Sequence, residues 1–367
     1  MKILLVGDAS NYHNTLATGL RKLGHEVVVA SSGMLWQNTS RDIDLRRGNT
    51  RLSGAWLWAR LNTTLARRLS GFDIVQIVNP VFVDLKPHRV ASVFRRLRRS
   101  NGAVYLTALG TDTAYVQTCL APDNPLRFSE WAVDGQLTPF SLSAEAAKQR
   151  MWLDKPLRGL CEMIYENIDG AITALYEYHA VMQRYLPPEK LAYGGIPIDT
   201  SAILYDVPPR NPRLKAILPY PKERRIEKGT DILFDIFNGI EGVDLETVAG
   251  LSFDIFLNRL RDSDVVIDQL YAHTPATTAL LAMAMGKTVV TGASDDFERF
   301  IGEKVPAYNI NPHDTTSARK AVAELAAMAP DERQELMAST GRRARSFVER
   351  HNDATVVARR FVDFWQR

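Results

Sequence analysis

The chain opens with a short apolar run, Lys2-Ile-Leu-Leu-Val-Gly7, closed by glycine; Leu16, Leu20 and Leu23 then recur at helical spacing before Gly24, and Glu26-Val-Val-Val-Ala30 follows. Strand, helix and strand in this order predict a parallel βαβ unit, because a crossover helix is what returns the chain to lay a second strand beside the first in the same direction. Further apolar runs at Asp73–Val78, Ala103–Ala108 and Gly170–Thr173 are each separated by enough chain for a crossover helix, which extends the prediction to a doubly wound sheet. Glycine and proline interrupt the pattern at Gly194-Gly195-Ile-Pro-Ile-Asp199 and again at Pro208-Pro209-Arg-Asn-Pro212, and a linker is expected there. The alternation restarts with Leu214–Pro219, Val243–Val248, Asp264–Asp268 and Thr288–Thr291, and from Thr315 to Arg367 the pattern is helical, with Phe347, Val356, Val357, Phe361 and Phe364 apolar near its end. The expected fold is α/β: two Rossmann-like, doubly wound domains, residues 1–200 and 201–349, with the last helix, 350–367, able to pack back on the first.

Length and composition agree with that picture. A chain of 367 residues, 46% hydrophobic and 24% charged, holds enough apolar surface for two cores without metal or disulfide support. The two cysteines, Cys119 and Cys161, form no CxxC and sit in no Cys/His cluster, so they read as reduced, buried thiols rather than zinc ligands. No apolar run approaches the roughly 18 residues of a membrane span, and no secretory leader is recognisable, which predicts a cytoplasmic protein. The net charge of +3 conceals an asymmetry: residues 1–100 hold 16 Lys and Arg against 6 Asp and Glu, and the remainder 29 against 36. A polyanion or an anionic membrane facing the first hundred residues would account for this, as would a solvated basic surface.

Open α/β sheets bind ligands outside the carboxyl ends of their strands. A dinucleotide fingerprint is absent, since Gly7-Asp-Ala-Ser-Asn-Tyr-His13 has one glycine where GxGxxG needs three, and this disfavours a dehydrogenase. The strongest local signal is the strand–turn–helix pattern from Asp264 to Gly286: Thr274 suits an N-cap, Pro275 the first helical position and Gly286 the stop. Free backbone N–H groups near Ala276 and Thr277 would then suit a diphosphate, although every capped helix has such an end. A second signal places Lys222, Arg224, Arg225 and Lys228 in a loop ending at Gly229, where the cations would clamp phosphate oxygens or simply face solvent. Asp262-Ser-Asp264 and Asp42-Ile-Asp44 imitate a metal-binding DxD motif, but the first opens a buried strand away from the ligand edge and the second reads as a polar loop, so no metal site is expected. In His88–Ser100, Val90, Val93, Phe94 and Leu97 form one apolar stripe among Arg89, Arg95, Arg96, Arg98 and Arg99. This is either a core-packed crossover helix with a solvated face or a contact for anionic lipid through Arg95, Arg96, Arg98 and Arg99, extended by Trp56, Trp58, Arg60, Arg67 and Arg68. No nucleic-acid-binding module accompanies the charge.

With these pieces in order, the chain resembles the retaining, nucleotide-sugar-dependent glycosyltransferases of the GT-B fold, the group 1 or family 4-like enzymes. The resemblance rests on Leu20-Arg-Lys-Leu-Gly-His-Glu-Val-Val-Val29, Phe72-Asp-Ile-Val-Gln76, Gly110-Thr-Asp112, Gly195-Ile-Pro-Ile-Asp199, Lys228-Gly229 and Leu281-Ala-Met-Ala-Met-Gly-Lys-Thr-Val-Val290. It implies two domains facing across a cleft, a nucleoside diphosphate sugar as co-substrate held by the second, a saccharide or lipid-linked saccharide acceptor held mainly by the first, and hexosyl transfer in surface polysaccharide assembly without cofactor or metal. It also implies that Arg224 or Arg225, Lys228, Gly229 and the helix after Thr274, with Thr277, neutralise the diphosphate, and that Asp268 and His273 position the donor. Gly7, Asp8, Asn14 and Gly110 fall where such enzymes meet the acceptor, with His13 and Asp112 as the candidate catalytic groups; His13 is also open to a capping role and Asp112 to a turn-forming one. Two glutamates eight residues apart usually contact the donor in these enzymes, and here their places hold His273 and Leu281. A non-catalytic homologue that binds a saccharide or a partner glycosyltransferase, and an epimerase acting on the nucleotide sugar alone, are the alternatives this departure motivates. The enzyme reading places the protein in the cytoplasm, peripherally on the inner face of the membrane if the basic helix meets lipid.

Overall fold

A computed structural model describes residues 1–33, 39–208 and 210–367; Pro209 of the second glycine–proline interruption lies outside the described residues. Along the chain the strands are β1 (Lys2–Val6), β2 (Glu26–Ser31), β3 (Ile43–Asp44), β4 (Ile74–Val78), β5 (Ala103–Ala108), β6 (Ala132–Val133), β7 (Gln136–Leu137), β8 (Gly170–Thr173), β9 (Leu191–Tyr193), β10 (Leu214–Pro219), β11 (Val243–Val248), β12 (Val265–Ile267), β13 (Thr288–Thr291) and β14 (Tyr308–Asn309). Each apolar run of the sequence is a strand. The short β3, β9 and β14, two or three residues long, carry too few alternations to be visible in the pattern.

The chain forms two compact units. The first comprises Met1–Pro125, Gln149–Pro197 and Ala354–Arg367. Its seven strands run in the order β3-β2-β1-β4-β5-β8-β9, every neighbouring pair parallel. Helices on both faces bury the central strands completely, so β4, Ile-Val-Gln-Ile-Val, is buried at every position and has no polar alternation. The helix Pro87–Ser100 packs as a crossover, with Val90, Val93, Phe94 and Leu97 buried. The closing helix Ala354–Trp365 belongs to this unit, burying Val357, Phe361 and Phe364, and Arg360 Nη1 donates to Gly194 O at 2.9 Å. Each such aromatic contributes about 2–3 kcal/mol by leaving water.

The second unit comprises Leu126–Lys148 and Ile198–Asp353. Its parallel sheet has the order β11-β10-β12-β13-β14, a doubly wound arrangement that reverses direction between β10 and β12. Its edge strand β11 does alternate, Asp244 and Glu246 facing out. The core gathers Leu214, Leu218, Phe237, Ile267, Val290 and Val322 among others. The segment Leu126–Lys148 departs from the expected boundary at residue 200: it precedes β8 in sequence yet packs in the second unit, where β6 and β7 form an antiparallel hairpin around the buried Trp131 and Phe140.

Cys119 and Cys161 are buried and form no disulfide. Asp262-Ser-Asp264 precedes β12 at its amino end, and the Asp264 carboxylate accepts from Asn211 Nδ2 and the Lys215 amide. Asp42-Ile-Asp44 is not a loop as expected, because Ile43 and Asp44 are paired with β2.

Candidate functional site

In a doubly wound sheet the strand order reverses where two neighbouring loops leave the carboxyl edge in opposite directions, which opens a crevice for ligands. In the first unit the reversal lies between β1 and β4. The loop after β1 turns at Gly7 (φ 79°), where a Cβ would stand 2.7 Å from both Phe82 O and Val78 Cγ1, so only glycine fits. Ser10 and Asn11 also have positive φ, and the helix Tyr12–Lys22 starts behind them with no side-chain cap. Asp8 is held here, accepting from the His13 amide at 3.0 Å and from Thr39 Oγ1 at 3.1 Å; burial raises its carboxyl to about 6 against the opposing effect of these bonds. Asn14 Nδ2 donates to Asn11 Oδ1. Gly110 (φ 80°) lies in the loop after β5, whose Leu109 and Thr111 carbonyls accept from Asn79 Nδ2.

The two candidate catalytic groups of this unit are built into its scaffold. His13 is wholly buried, with Nδ1 2.8 Å from Gly7 O and Nε2 3.1 Å from Thr107 Oγ1. Because a carbonyl can only accept, Nδ1 carries the proton and Nε2 accepts from Thr107, which accepts in turn from Gln76 Nε2; Gln76 Oε1 then accepts from Trp365 Nε1. Burial lowers the imidazole to about 4, so it is neutral. Both ring nitrogens are engaged in a polar relay from the β1 loop to the closing helix, the arrangement expected of a structural histidine. Asp112 caps the helix Thr113–Cys119 by accepting from the Tyr115 amide and accepts from Tyr165 Oη at 2.8 Å. With each carboxylate oxygen engaged and 5% exposure, its turn-forming role is the one observed.

In the second unit the reversal lies between β10 and β12, and the two loops expected to hold a ligand leave from these strands. They touch: the Leu270 amide donates to Lys228 O at 3.0 Å, and a Cβ on Gly229 (φ 66°) would come within 2.9 Å of Leu270 Cβ. Gly229 therefore caps the helix Thr230–Phe237 in the left-handed conformation while letting the loops close on each other. The four cations of the first loop are treated differently. Lys222 is exposed. Arg224 is forked onto Glu227, its Nε donating at 3.0 Å, and Arg225 pairs with Asp231 at 3.0 Å. Lys228 is half-buried; burial lowers its pKa, while the charge of Asp268 opposes the shift.

Asp268, directly after β12, is 1% exposed, and neither carboxylate oxygen has a hydrogen-bond partner. Burial raises its pKa, and the charges of Lys228 and Arg224 oppose this. A carboxyl placed this way can receive a donor from a ligand, because a buried polar group without a partner costs about 1–3 kcal/mol. Downstream, the expected cap is corrected: the helix is Thr277–Ala284, Ala276 is its N-cap with no side-chain bond, and Thr274 and Pro275 lie before it in the buried loop. The helix stops at Gly286 (φ 81°) as expected, and Leu281 is buried within it.

The segment Leu126–Lys148 reaches each of these loops, and nothing in the sequence pattern announced it beyond the aromatic residues Phe128, Trp131 and Phe140. The Phe128 ring stacks on His273 with centroids 4.0 Å apart and planes 10° apart, and Phe128 O lies 2.9 Å from His273 Nε2. His273, 2% exposed with its pKa lowered by burial, is thus held in place by Phe128. Asp134 Oδ2 meets His313 Nε2 at 2.8 Å, and the Glu145 carboxylate accepts from the amides of Ile226 and Glu227 inside the basic loop.

The expected lipid-facing arginines are also partly committed. Arg98 places both terminal nitrogens on Asp169, and Arg96 donates to Leu61 O and Asn62 Oδ1; Arg95 and Arg99 remain exposed. Among the described residues no cluster of three or more His, Cys, Asp or Glu is placed to hold a metal, and no helix is long and apolar enough to cross a membrane.

No protein-family model matches the chain, and no curated protein does. Among solved structures, the chain is similar to sucrose-phosphate synthase from Thermosynechococcus elongatus, with a TM-score of 0.62 at 13% identity, covering 100% of this chain and 98% of that one. It is similar to Anabaena HepE in complex with UDP (0.55, 10% identity, 100% and 99% covered) and to a glycosyltransferase from Rickettsia africae (0.53, 11% identity, 100% and 97% covered). The fold is accordingly that of the GT-B glycosyltransferases, with two Rossmann-like units.

Proposed function

We propose that the chain is a nucleotide-sugar-dependent glycosyltransferase whose second unit receives the nucleoside diphosphate outside β10 and β12. The observation that carries this reading is the buried, hydrogen-bond-free carboxyl of Asp268 at the point where the sheet reverses, within the field of Lys228 and Arg224. Lys228 and Arg224 would face the diphosphate oxygens, Arg224 exchanging Glu227 for phosphate, and the N-terminal amides of the helix Thr277–Ala284 would add the positive end of a dipole. Asp268 would accept from a hydroxyl of the donor, a contact that Leu281 is unable to supply. Retaining transfer then needs little else from the protein: the bond from the sugar's anomeric carbon to the phosphate oxygen breaks, the acceptor oxygen bonds to that carbon from the same face, and its proton leaves on the departing phosphate. Cationic stabilisation of that leaving group is the term the enzyme controls. The acceptor, a saccharide or lipid-linked saccharide, would meet the first unit at Asp8, Asn14 and the Gly110 loop, with no metal in the step.

An epimerase acting on the nucleotide sugar alone is the second reading, motivated by the buried Leu281 where the transferases usually place a donor-contacting glutamate. Calorimetry with UDP, GDP and ADP is the first test: a folded protein that binds none of them ends both readings and leaves a non-catalytic binder of saccharide or of a partner enzyme. Given a nucleotide, release of nucleoside diphosphate from its sugar conjugates only with a saccharide acceptor present supports the transferase. Sugar interconversion without acceptor supports the epimerase.

A further inference from the structure

The helix Arg51–Asn62 turns an apolar face outward. Gly54, Leu57 and Leu61 are its buried residues, all on one side. At about 3.6 residues per turn, Leu52 and Trp56 fall on the opposite side, and they are 82% and 59% exposed. A helix on a protein surface ordinarily keeps that side polar. Trp58 is 36% exposed on a flank, at the junction with the helix Pro87–Ser100.

The charge along this part of the chain has one sign, although Arg46 and Arg47 are paired with Asp44 and Asp84 from outside it. From Leu45 to Phe72 the chain has six arginines, no lysine and no acidic residue. Arg60 lies over the Trp56 ring at 4.6 Å, and Arg89 of the neighbouring helix lies over Trp58 at 5.4 Å, so cations border the exposed rings. Arg51, Arg67, Arg95 and Arg99 are exposed as well. We propose that the helix Arg51–Asn62 docks on an anionic lipid bilayer, Leu52 and Trp56 entering the headgroup–acyl boundary and the arginines meeting lipid phosphates. Tryptophan suits that boundary because its ring is apolar and its N–H polar, and a bordering set of arginines supplies attraction to acidic headgroups. A second copy of the chain fits less well, since a symmetric contact would set this face against itself and place arginine on arginine. Nucleic acid would use the arginines but has no use for a leucine exposed at the centre of the face.

The inference does not depend on sugar transfer, because it is read without donor or acceptor. Full-length protein is sedimented with vesicles of phosphatidylcholine and with vesicles also containing phosphatidylglycerol. Partition into the anionic vesicles, weakened by added salt and absent from the neutral ones, is expected. Arg51→Ser and Arg67→Ser should each lower the partition coefficient about fivefold, and Leu52→Ser/Trp56→Ser should lower it at least as far. Arg98→Ser should leave it unchanged, because Arg98 is spent on Asp169. The exposure of Leu52 and Trp56 means that their replacement leaves folding intact, which a thermal transition checks. The proposal is overturned by failure of the unaltered protein to partition, by partition insensitive to Leu52→Ser/Trp56→Ser, by concentration-dependent dimerisation that these substitutions abolish, or by oligonucleotide binding that they abolish.

Discussion

Replacing Lys228 with methionine separates the electrostatic role of this side chain from its bulk. Asp268 is 1% exposed with both oxygens lacking a hydrogen bond, and its opposing charges are Lys228 and Arg224, the latter already forked onto Glu227. Breaking a buried pair by removing one partner costs about 3–5 kcal/mol, because the remaining charge is left uncompensated. Protonation limits that loss. Neutralising a carboxyl whose ordinary pKa is 3.8 costs about 1.6 kcal/mol at pH 5 and about 5.7 kcal/mol at pH 8. Lys228→Met should therefore cost no more than about 1.6 kcal/mol at pH 5 and about 3–5 kcal/mol at pH 8. The sign agrees with linkage: a carboxyl whose folded pKa is raised binds its proton more tightly folded than unfolded, so its burden on stability is absent below the unfolded pKa and grows as pH rises toward the folded one. Urea denaturation at the two pH values, followed by tryptophan fluorescence, reads the difference. Adding Asp268→Asn to the variant should restore stability at pH 8 to within about 1 kcal/mol of the parent. Affinity for a nucleoside diphosphate should stay at least tenfold weakened in both variants, as loss of a charge-assisted bond of about 1.5–3 kcal/mol requires. An equal loss of stability at pH 5 and pH 8 would refute the reasoning, since Asp268 would then not depend on Lys228 for its charge.

Three further outcomes are expected. His13 is buried with its pKa lowered to about 4, so the unfolded chain binds the extra proton first; the stability it supports is complete above pH 6.5 and lost as pH falls toward 4, by about 3 kcal/mol in all, and a His13→Gln variant should show a flatter acid limb in a pH series of thermal transitions. Phe128→Ala empties the space over His273 and should destabilise the second unit by about 3–5 kcal/mol; a loss below about 1 kcal/mol in urea titration would mean that Leu126–Lys148 is not integral to it. Asp8, raised to about 6, should show a carboxyl titration near that value in ¹³C NMR, absent from Asp8→Asn, and any acceptor that donates a hydrogen bond to it should lower the midpoint.

A parallel βαβ unit was legible in residues 2–30 and the doubly wound sheet in the runs that follow, because a parallel strand buried on both faces appears as a largely apolar run such as Ile3–Val6 or Ile74–Val78. The loops at the carboxyl edge were legible too, since glycine at 7 and 229 marks turns that other residues resist. What a side chain does within those loops was not. His13 and Asp112 have the composition of catalytic groups, and only the packing of Thr107, Gln76, Tyr115 and Tyr165 around them shows that their polar atoms are spent on the scaffold. The same holds for Leu126–Lys148, whose place over His273 depends on contacts 145 residues apart in sequence. Local pattern records which face of an element is apolar and where the backbone must turn, because those are set by neighbours along the chain. Which charges end beside which, and which buried oxygen is left without a donor, is set by residues that meet only when the chain has folded. Asp268 was singled out in the sequence only through the family resemblance; that both its oxygens are buried without a hydrogen-bond partner was set by the fold.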